Sequence, residues 1–136
     1  MTPKEKLRQC RQDIRELVNM MDRQAFLRGT LLPAAIRSRE VDVQTSGAGD
    51  RMSEIVPKIV ELDRKIDDHI QALIEEQIQV EAMIDAVDDA RYRALLRWYY
   101  LSYPPLSWRQ VADRMGYSEV TVKRMHGYAL LKVDTQ

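Results

Sequence analysis

Residues 107–133 read SWRQVADRMGYSEVTVKRMHGYALLKV, and the spacing inside this stretch decides how the rest of the chain is read. Ser107 and Ser118 each stand where a short hydroxyl side chain accepts from the first turn of a helix. Gly116 lies between the two helical segments, where a tight turn calls for a residue tolerant of positive φ. Two helices crossing at a steep angle need a small residue at their closest approach and apolar residues at set distances on both sides. Ala112 fits the first requirement, and Val111, Met115, Val122 and Met125 fit the second. The spacing predicts a helix-turn-helix, with one helix from Ser107 to Met115 and another from about Glu119 to Lys132 whose inner face carries Val122, Met125 and Ala129.

In such a unit the second helix enters the major groove of DNA, and residues near its amino terminus reach base edges. The candidates here are Ser118, Glu119, Val120, Thr121, Lys123 and Arg124. Arg or Lys donates to guanine, Glu accepts from cytosine, and Val or the Thr methyl touches a thymine methyl. Arg109, Arg114 and Lys132, with Arg91, Arg93 and Arg97 just upstream, are candidates for phosphate contacts that fix the register. The same motif also serves as a protein-docking module, and that alternative stays open. The net charge of +4 over residues 89–136 favours nucleic acid, because phosphate neutralisation supplies most non-specific affinity. Trp98, Trp108, Tyr99, Tyr100 and Tyr103 are expected to pack the domain, since duplex-reading domains of this kind leave bases stacked. His126 is expected to be a packing residue.

Upstream, Asp88 and Asp89 are placed to cap a helix with Tyr92, Leu95, Leu96 and Tyr99 at i, i+3, i+4 and i+7, ended by Pro104 and Pro105. Further back, Leu7, Cys10, Ile14, Leu17 and Met21 follow steps of three and four, and the pattern resumes from Met52 through Ile59, Ile66, Leu73, Val80 and Ile84 to Val87. Both read as helices with one apolar seam. Thr2 and Pro3 mark the start of the first, and Gly29 its stop. The second is expected to be on the order of 55 Å long, with Pro57 in or near its first turn or at a kink. Residues 29–50, with Pro33 and the small residues 45–49, read as a long connection.

The net charge is zero, but it is segregated. Residues 1–28 carry +3, residues 29–49 balance, residues 50–88 carry −7 and residues 89–136 carry +4. A long connection returns the chain antiparallel, so a basic first helix is expected along an acidic second. The first helix is the shorter, which leaves Ile78, Val80, Met83, Ile84 and Val87 to be covered by something else. Val56, Val60 and Ile74 widen the stripe further, so a homodimer or higher homo-oligomer is expected. The predicted fold is all-α: a long antiparallel helical hairpin or coiled coil over residues 1–88, with the connection 29–50, followed by a helix-turn-helix domain over 89–136.

The chain has 136 residues, 45% hydrophobic and 31% charged, with few Gly and Pro. A large multidomain enzyme and collagenous or low-complexity classes are excluded. No apolar run suits a membrane span or a signal core, so a cytoplasmic location with no membrane partner is expected. One cysteine, Cys10, excludes an intrachain disulfide and a multi-thiolate zinc site, and at a seam position it reads as a small apolar filler. His69 reads as a flank residue, and Asp67, Asp68, Glu75 and Glu76 as a solvated face. No catalytic triad, phosphate loop or metal-ligand cluster is present, so neither an enzyme, a cofactor nor a metal is expected.

Residues 89–133 resemble the region 4 domain of sigma-70-type transcription factors, with an arginine-rich leading helix and the ending Ala129, Leu130, Leu131, Lys132, Val133. The whole layout is similar to a family of small phage-encoded transcriptional regulators. The resemblance implies a phage or prophage origin in a bacterial host cell, promoter DNA as the target, and host RNA polymerase as a further partner. Primary sigma factors commonly place Arg-Glu where this chain has Glu119 and Val120, and no segment resembles the region that melts the −10 element. An activator or repressor with a borrowed reading head is therefore expected rather than a complete sigma factor. Two alternatives remain: a small-terminase-type DNA-packaging protein, and an adaptor that docks on polymerase without reading DNA.

Overall fold

In a computed structural model the protein is described at residues 1–41 and 47–134, with side chains described over 1–38 and 51–134. Among these residues the structure is helical and holds no strand: α1 (Pro3–Phe26), a π-helical turn (Leu27–Leu31), α2 (Leu32–Val41), α3 (Gly47–Asp85), α4 (Ala90–Tyr100), α5 (Trp108–Met115) and α6 (Glu119–Asp134). No described helix is long and apolar enough to cross a membrane.

Local chemistry sets the helix ends. Glu5 N–H donates to Thr2 Oγ1 and Thr2 N–H to the Glu5 carboxylate, at 3.2 and 3.1 Å, a reciprocal cap that satisfies two otherwise orphaned donors. Asp89 caps α4 by accepting from Arg91 N–H at 2.9 Å. Arg93 then donates to the carbonyls of Val87 and Asp88 at 2.6 and 2.8 Å, which fixes the short joint between α3 and α4.

The connection expected over 29–50 is helical wherever it is described. Gly29 does not stop the first helix, because the π-helical turn carries the backbone through it and Leu32 N–H donates to Leu27 O five residues back. Pro33 lacks an N–H and would leave a gap in a regular ladder. A π turn immediately before it shifts the register and lets α2 follow. Part of the small-residue stretch at 45–49 lies outside the described residues. Pro57 lies inside α3 rather than in its first turn.

The chain divides into two compact units. One is Leu17–Ile70, with Leu17, Ala35, Ile59 and Ile66 buried. In it Gln24 donates to Asp63 at 2.6 Å and Arg28 pairs with the same carboxylate, the opposite-charge contact expected between a basic and an acidic helix. Arg64 bridges Glu61 and Asp68 along the solvated face of α3.

The other unit joins Met1–Glu16 to Gln71–Gln136. Leu7, Cys10 and Ile14 of α1 are buried in it, as are Leu73, Val80 and Ile84 of α3 and Val87 beyond it. The seam at Val80, Ile84 and Val87 is the part that the shorter first helix is expected to leave for something else to cover. All three side chains are buried within this unit, which takes in the amino-terminal part of α1 as well as the C-terminal helices. Ile78 does stay 62% exposed, and Val56, Val60 and Ile74 are exposed too. Charge complementarity does not extend to every contact: Asp13 hydrogen-bonds Glu76, whose carboxyl is pushed up to about 7 by burial and by that acidic neighbour. Cys10 is fully buried, its thiol raised to about 12 chiefly by burial, and it behaves as an apolar filler.

Candidate nucleic-acid interface

Ser107 opens α5 with a capping box: its Oγ accepts from Gln110 N–H at 3.2 Å while the Gln110 side chain accepts from Ser107 N–H at 2.9 Å. The helix lasts eight residues and ends at Gly116, which sits at φ +74° in the left-handed region. There Gly116 N–H and Tyr117 N–H both donate to Ala112 O, at 2.9 and 3.1 Å, a glycine-dependent helix stop. Ser118 follows, and its Oγ accepts from Thr121 N–H at 3.2 Å and meets Thr121 Oγ1 at 2.7 Å. Val111 and Ala112 of α5 and Val122, Ala129, Leu130 and Val133 of α6 are buried, while Met115 and Met125, the other apolar positions the spacing called for, are half-buried.

This packing leaves one face of α6 in solvent. Glu119, Val120, Lys123, Arg124 and Lys132 are exposed there, with Val120 at 68%. Glu119 and Lys123 form an ion pair at 3.2 Å. Ser118 and Thr121 are committed to the cap, Thr121 being half-buried. Arg109 is exposed on α5. Tyr128 and Leu131 extend the outward face with apolar surface, 53% and 59% exposed.

The arginines of α4 are held within the chain. Arg91 pairs with Asp89, Arg97 with Asp85, and Arg93 with the two carbonyls at the joint. Arg114 lies over the Trp98 ring at 5.3 Å.

Against α6 lies a cluster that spacing did not reveal. Tyr99 and Trp108 stack at 3.8 Å, and His126 of α6 meets both rings edge-on. Tyr100, buried, bonds His126 Nε2 through its hydroxyl at 2.6 Å. Arg11 of α1 lies over the other face of Tyr99 at 3.8 Å and donates to Tyr99 O and Leu106 O at 2.5 and 2.8 Å. These carbonyls, at the end of α4 and in the loop after it, thus gain a cationic donor. Burial, aided by the charges of Arg8 and Lys4, lowers His126 to about 4, so its ring is neutral at neutral pH. Burial likewise pushes the Tyr100 phenol up to about 12 and lowers Arg11, whose guanidinium is partly desolvated. The expectation that the aromatic residues pack the domain holds for Tyr99, Tyr100 and Trp108; Trp98 and Tyr103 stay 37% and 56% exposed. A hint of Arg11's role lay in the run Arg8, Arg11, Arg15 beside the apolar seam, but its partners are about ninety residues away.

Among the described residues no group of three or more His, Cys, Asp or Glu is placed to hold a metal ion. Residues 89–134 match the family model described as Sigma-70, region 4. No curated protein and no solved structure gives a match. The carboxy-terminal third of this chain is a sigma-70 region 4-like helix-turn-helix domain, a DNA-binding module.

Proposed function

We propose that the protein is a double-stranded-DNA-binding transcriptional regulator of phage or prophage origin, acting by sequence-specific binding at promoters in the bacterial cytoplasm rather than by catalysis. The observation that carries this reading is the outward face of α6, where Val120, Lys123 and Arg124 stand exposed just after the Gly116 turn, within the segment that matches sigma-70 region 4. A cation pair beside an apolar side chain at that place suits base edges in a major groove. Arg109 and Lys132 are the proposed phosphate contacts. The exposed Val56 and Val60, and in the other unit Ile74 and Ile78, support self-association, so we assign the active form as a homodimer with two reading heads. Genome-wide mapping of bound DNA in a bacterial host identifies the operator. Retardation of that operator duplex by the wild type, with a loss of about tenfold or more in Lys123→Ala and Arg124→Ala at unchanged oligomer mass, is the expected result. Undiminished binding in both variants removes the assignment, and a ring of many subunits points to DNA packaging instead.

A second reading, docking on RNA polymerase without reading DNA, draws support from the exposed Tyr128 and Leu131 on the same helix. It predicts co-purification with polymerase that Leu131→Ser abolishes, and no retardation of any duplex.

A further inference from the structure

Beside the aromatic cluster lies a cleft of about 260 Å³, walled by Arg8, Arg11, Gln12 and Arg15 of α1 against Tyr99, Tyr100 and His126. All of these residues belong to one compact unit. Arg8, Arg11 and Arg15 follow at i, i+3 and i+7, which places three guanidinium groups on one helix face. Among the described residues none of the three forms an ion pair with a carboxylate. Arg11 is engaged on Tyr99 O and Leu106 O, while Arg8 and Arg15 are exposed at the rim. A cleft lined by one sign of charge concentrates counter-ions, and the planar fork of arginine matches phosphate oxygens.

The far wall adds a neutral donor. The Tyr100 hydroxyl and His126 Nε2 are 2.6 Å apart. If the phenol donates, the imidazole keeps its Nδ1–H; if Nε2–H donates, the phenol O–H is released. Either tautomer leaves the pair with one donor besides the bond they share. We infer that this cleft binds a small phosphate-bearing anion, held by Arg8, Arg15 and Gln12 from α1 and by the Tyr100–His126 pair from α4 and α6.

Two features narrow the ligand. Both faces of the Tyr99 ring are taken, one by Arg11 and the other by Trp108, so no platform is left there for a nucleobase and the phosphate group itself is what the cleft recognises. Turning about 100° per residue, His126 stands about 120° round α6 from Val120 and about 160° from Arg124, though only about 60° from Lys123. The cleft wall is thus turned from Val120 and Arg124, which favours a free small anion over a phosphate of DNA read by those two residues. A bound anion would bridge α1 to the helix-turn-helix and tighten their union.

Titration of the 136-residue chain with inorganic pyrophosphate by calorimetry, at ionic strength held constant with sodium chloride, tests this site. One saturable site per chain is expected, with a Kd of about 1 mM or tighter and a rise in Tm on saturation. The exposed pair Arg8→Gln with Arg15→Gln, checked for an unchanged helical spectrum, is expected to weaken it about tenfold or more. Heat that does not saturate, or equal affinity in the double variant, overturns the proposal. If pyrophosphate does not bind and the double variant instead loses duplex-DNA affinity with a shallower salt dependence, the cleft is a DNA-backbone contact and the small-anion site is rejected.

Discussion

Arg11 lies across the ring of Tyr99 at 3.8 Å and donates to that same residue's carbonyl oxygen at 2.5 Å. One side chain of the first helix therefore holds both the ring and the backbone of a residue in the last third of the chain. Its second amino group reaches Leu106 O at 2.8 Å, so two carbonyls depend on one cation. Arg11→Ala leaves both without this partner, and a loss of about 2 kcal/mol is expected from charged hydrogen bonds and the ring contact. Arg11→Lys is expected to recover less than half of it, because an ammonium cannot span two acceptors in a fixed fork. Urea denaturation of the two variants provides the measurement, and wild-type midpoints would refute the role.

Gly116 offers a test that separates backbone strain from steric clash. Its φ is +74°, and a Cβ added there would meet no other atom within 4 Å. Gly116→Ala is thus expected to cost about 1 kcal/mol through the left-handed conformation alone, and Gly116→Asn less, since Asn visits that region more readily. Thermal melts of both variants check this ordering.

The ion pair between Glu119 and Lys123 places an acidic group on the proposed reading face. Glu119→Gln removes it and frees the ammonium. Non-specific affinity for a mixed-sequence duplex is expected to rise by a few fold at low salt, with a steeper dependence on salt concentration. Fluorescence anisotropy at several salt concentrations reads both quantities. Unchanged affinity would show that this end of α6 stays clear of phosphates.

Glu76 and His126 respond to pH in opposite senses. Glu76 has its carboxyl raised from 4.5 to about 7, by burial first and then by the hydrogen bond and charge of Asp13. The folded chain holds a proton there that the unfolded chain releases, so this contribution is complete below about 4.5 and is lost as pH rises toward 7. Glu76→Gln keeps the neutral form at all pH, and at pH 8 it is expected to stabilise by roughly 1 kcal/mol once solvent screening is allowed for. The gain should vanish below the ordinary glutamate range. Melts at acidic and alkaline pH compare the two.

His126 is lowered from 6.5 to about 4, by burial first and then by the charges of Arg8 and Lys4. Its contribution is complete above 6.5 and is lost as pH falls toward 4, since the unfolded ring takes up a proton that the folded ring refuses. Proton NMR of the imidazole should show no titration through pH 6 to 7. A midpoint near 6.5 would contradict the buried Tyr100 pairing.

Helix ends were legible because their chemistry is local. Thr2, Asp89, Ser107, Gly116 and Ser118 each act within four residues of their own position, and a window of that size contains everything the geometry needs. Residues 29–41 misled for the complementary reason. Gly29 and Pro33 are sound breakers of a regular helix, but a π-helical turn absorbs the missing donor and the helix goes on. The cover over Val80, Ile84 and Val87 depended on which part of α1 lies in their unit, which a repeating apolar pattern leaves undetermined. On the interface, the exposed positions of α6 followed from helical phase alone. The engagement of half-buried Thr121 in its cap, the tethering of Arg91, Arg93 and Arg97, and the reach of Arg11 all depend on partners that no periodicity names.

The union of Met1–Glu16 with Gln71–Gln136 bears on the order of events during synthesis. Met1–Glu16 is synthesised well before Gln71–Gln136, so Leu7, Cys10 and Ile14 must wait for that later segment before they find their neighbours, a closure of high sequence separation and correspondingly slow. A fragment begun at residue 89 would carry every side chain proposed to contact DNA yet lack the arginine that grips Tyr99. Such a fragment should hold its helices more loosely than the intact polypeptide does.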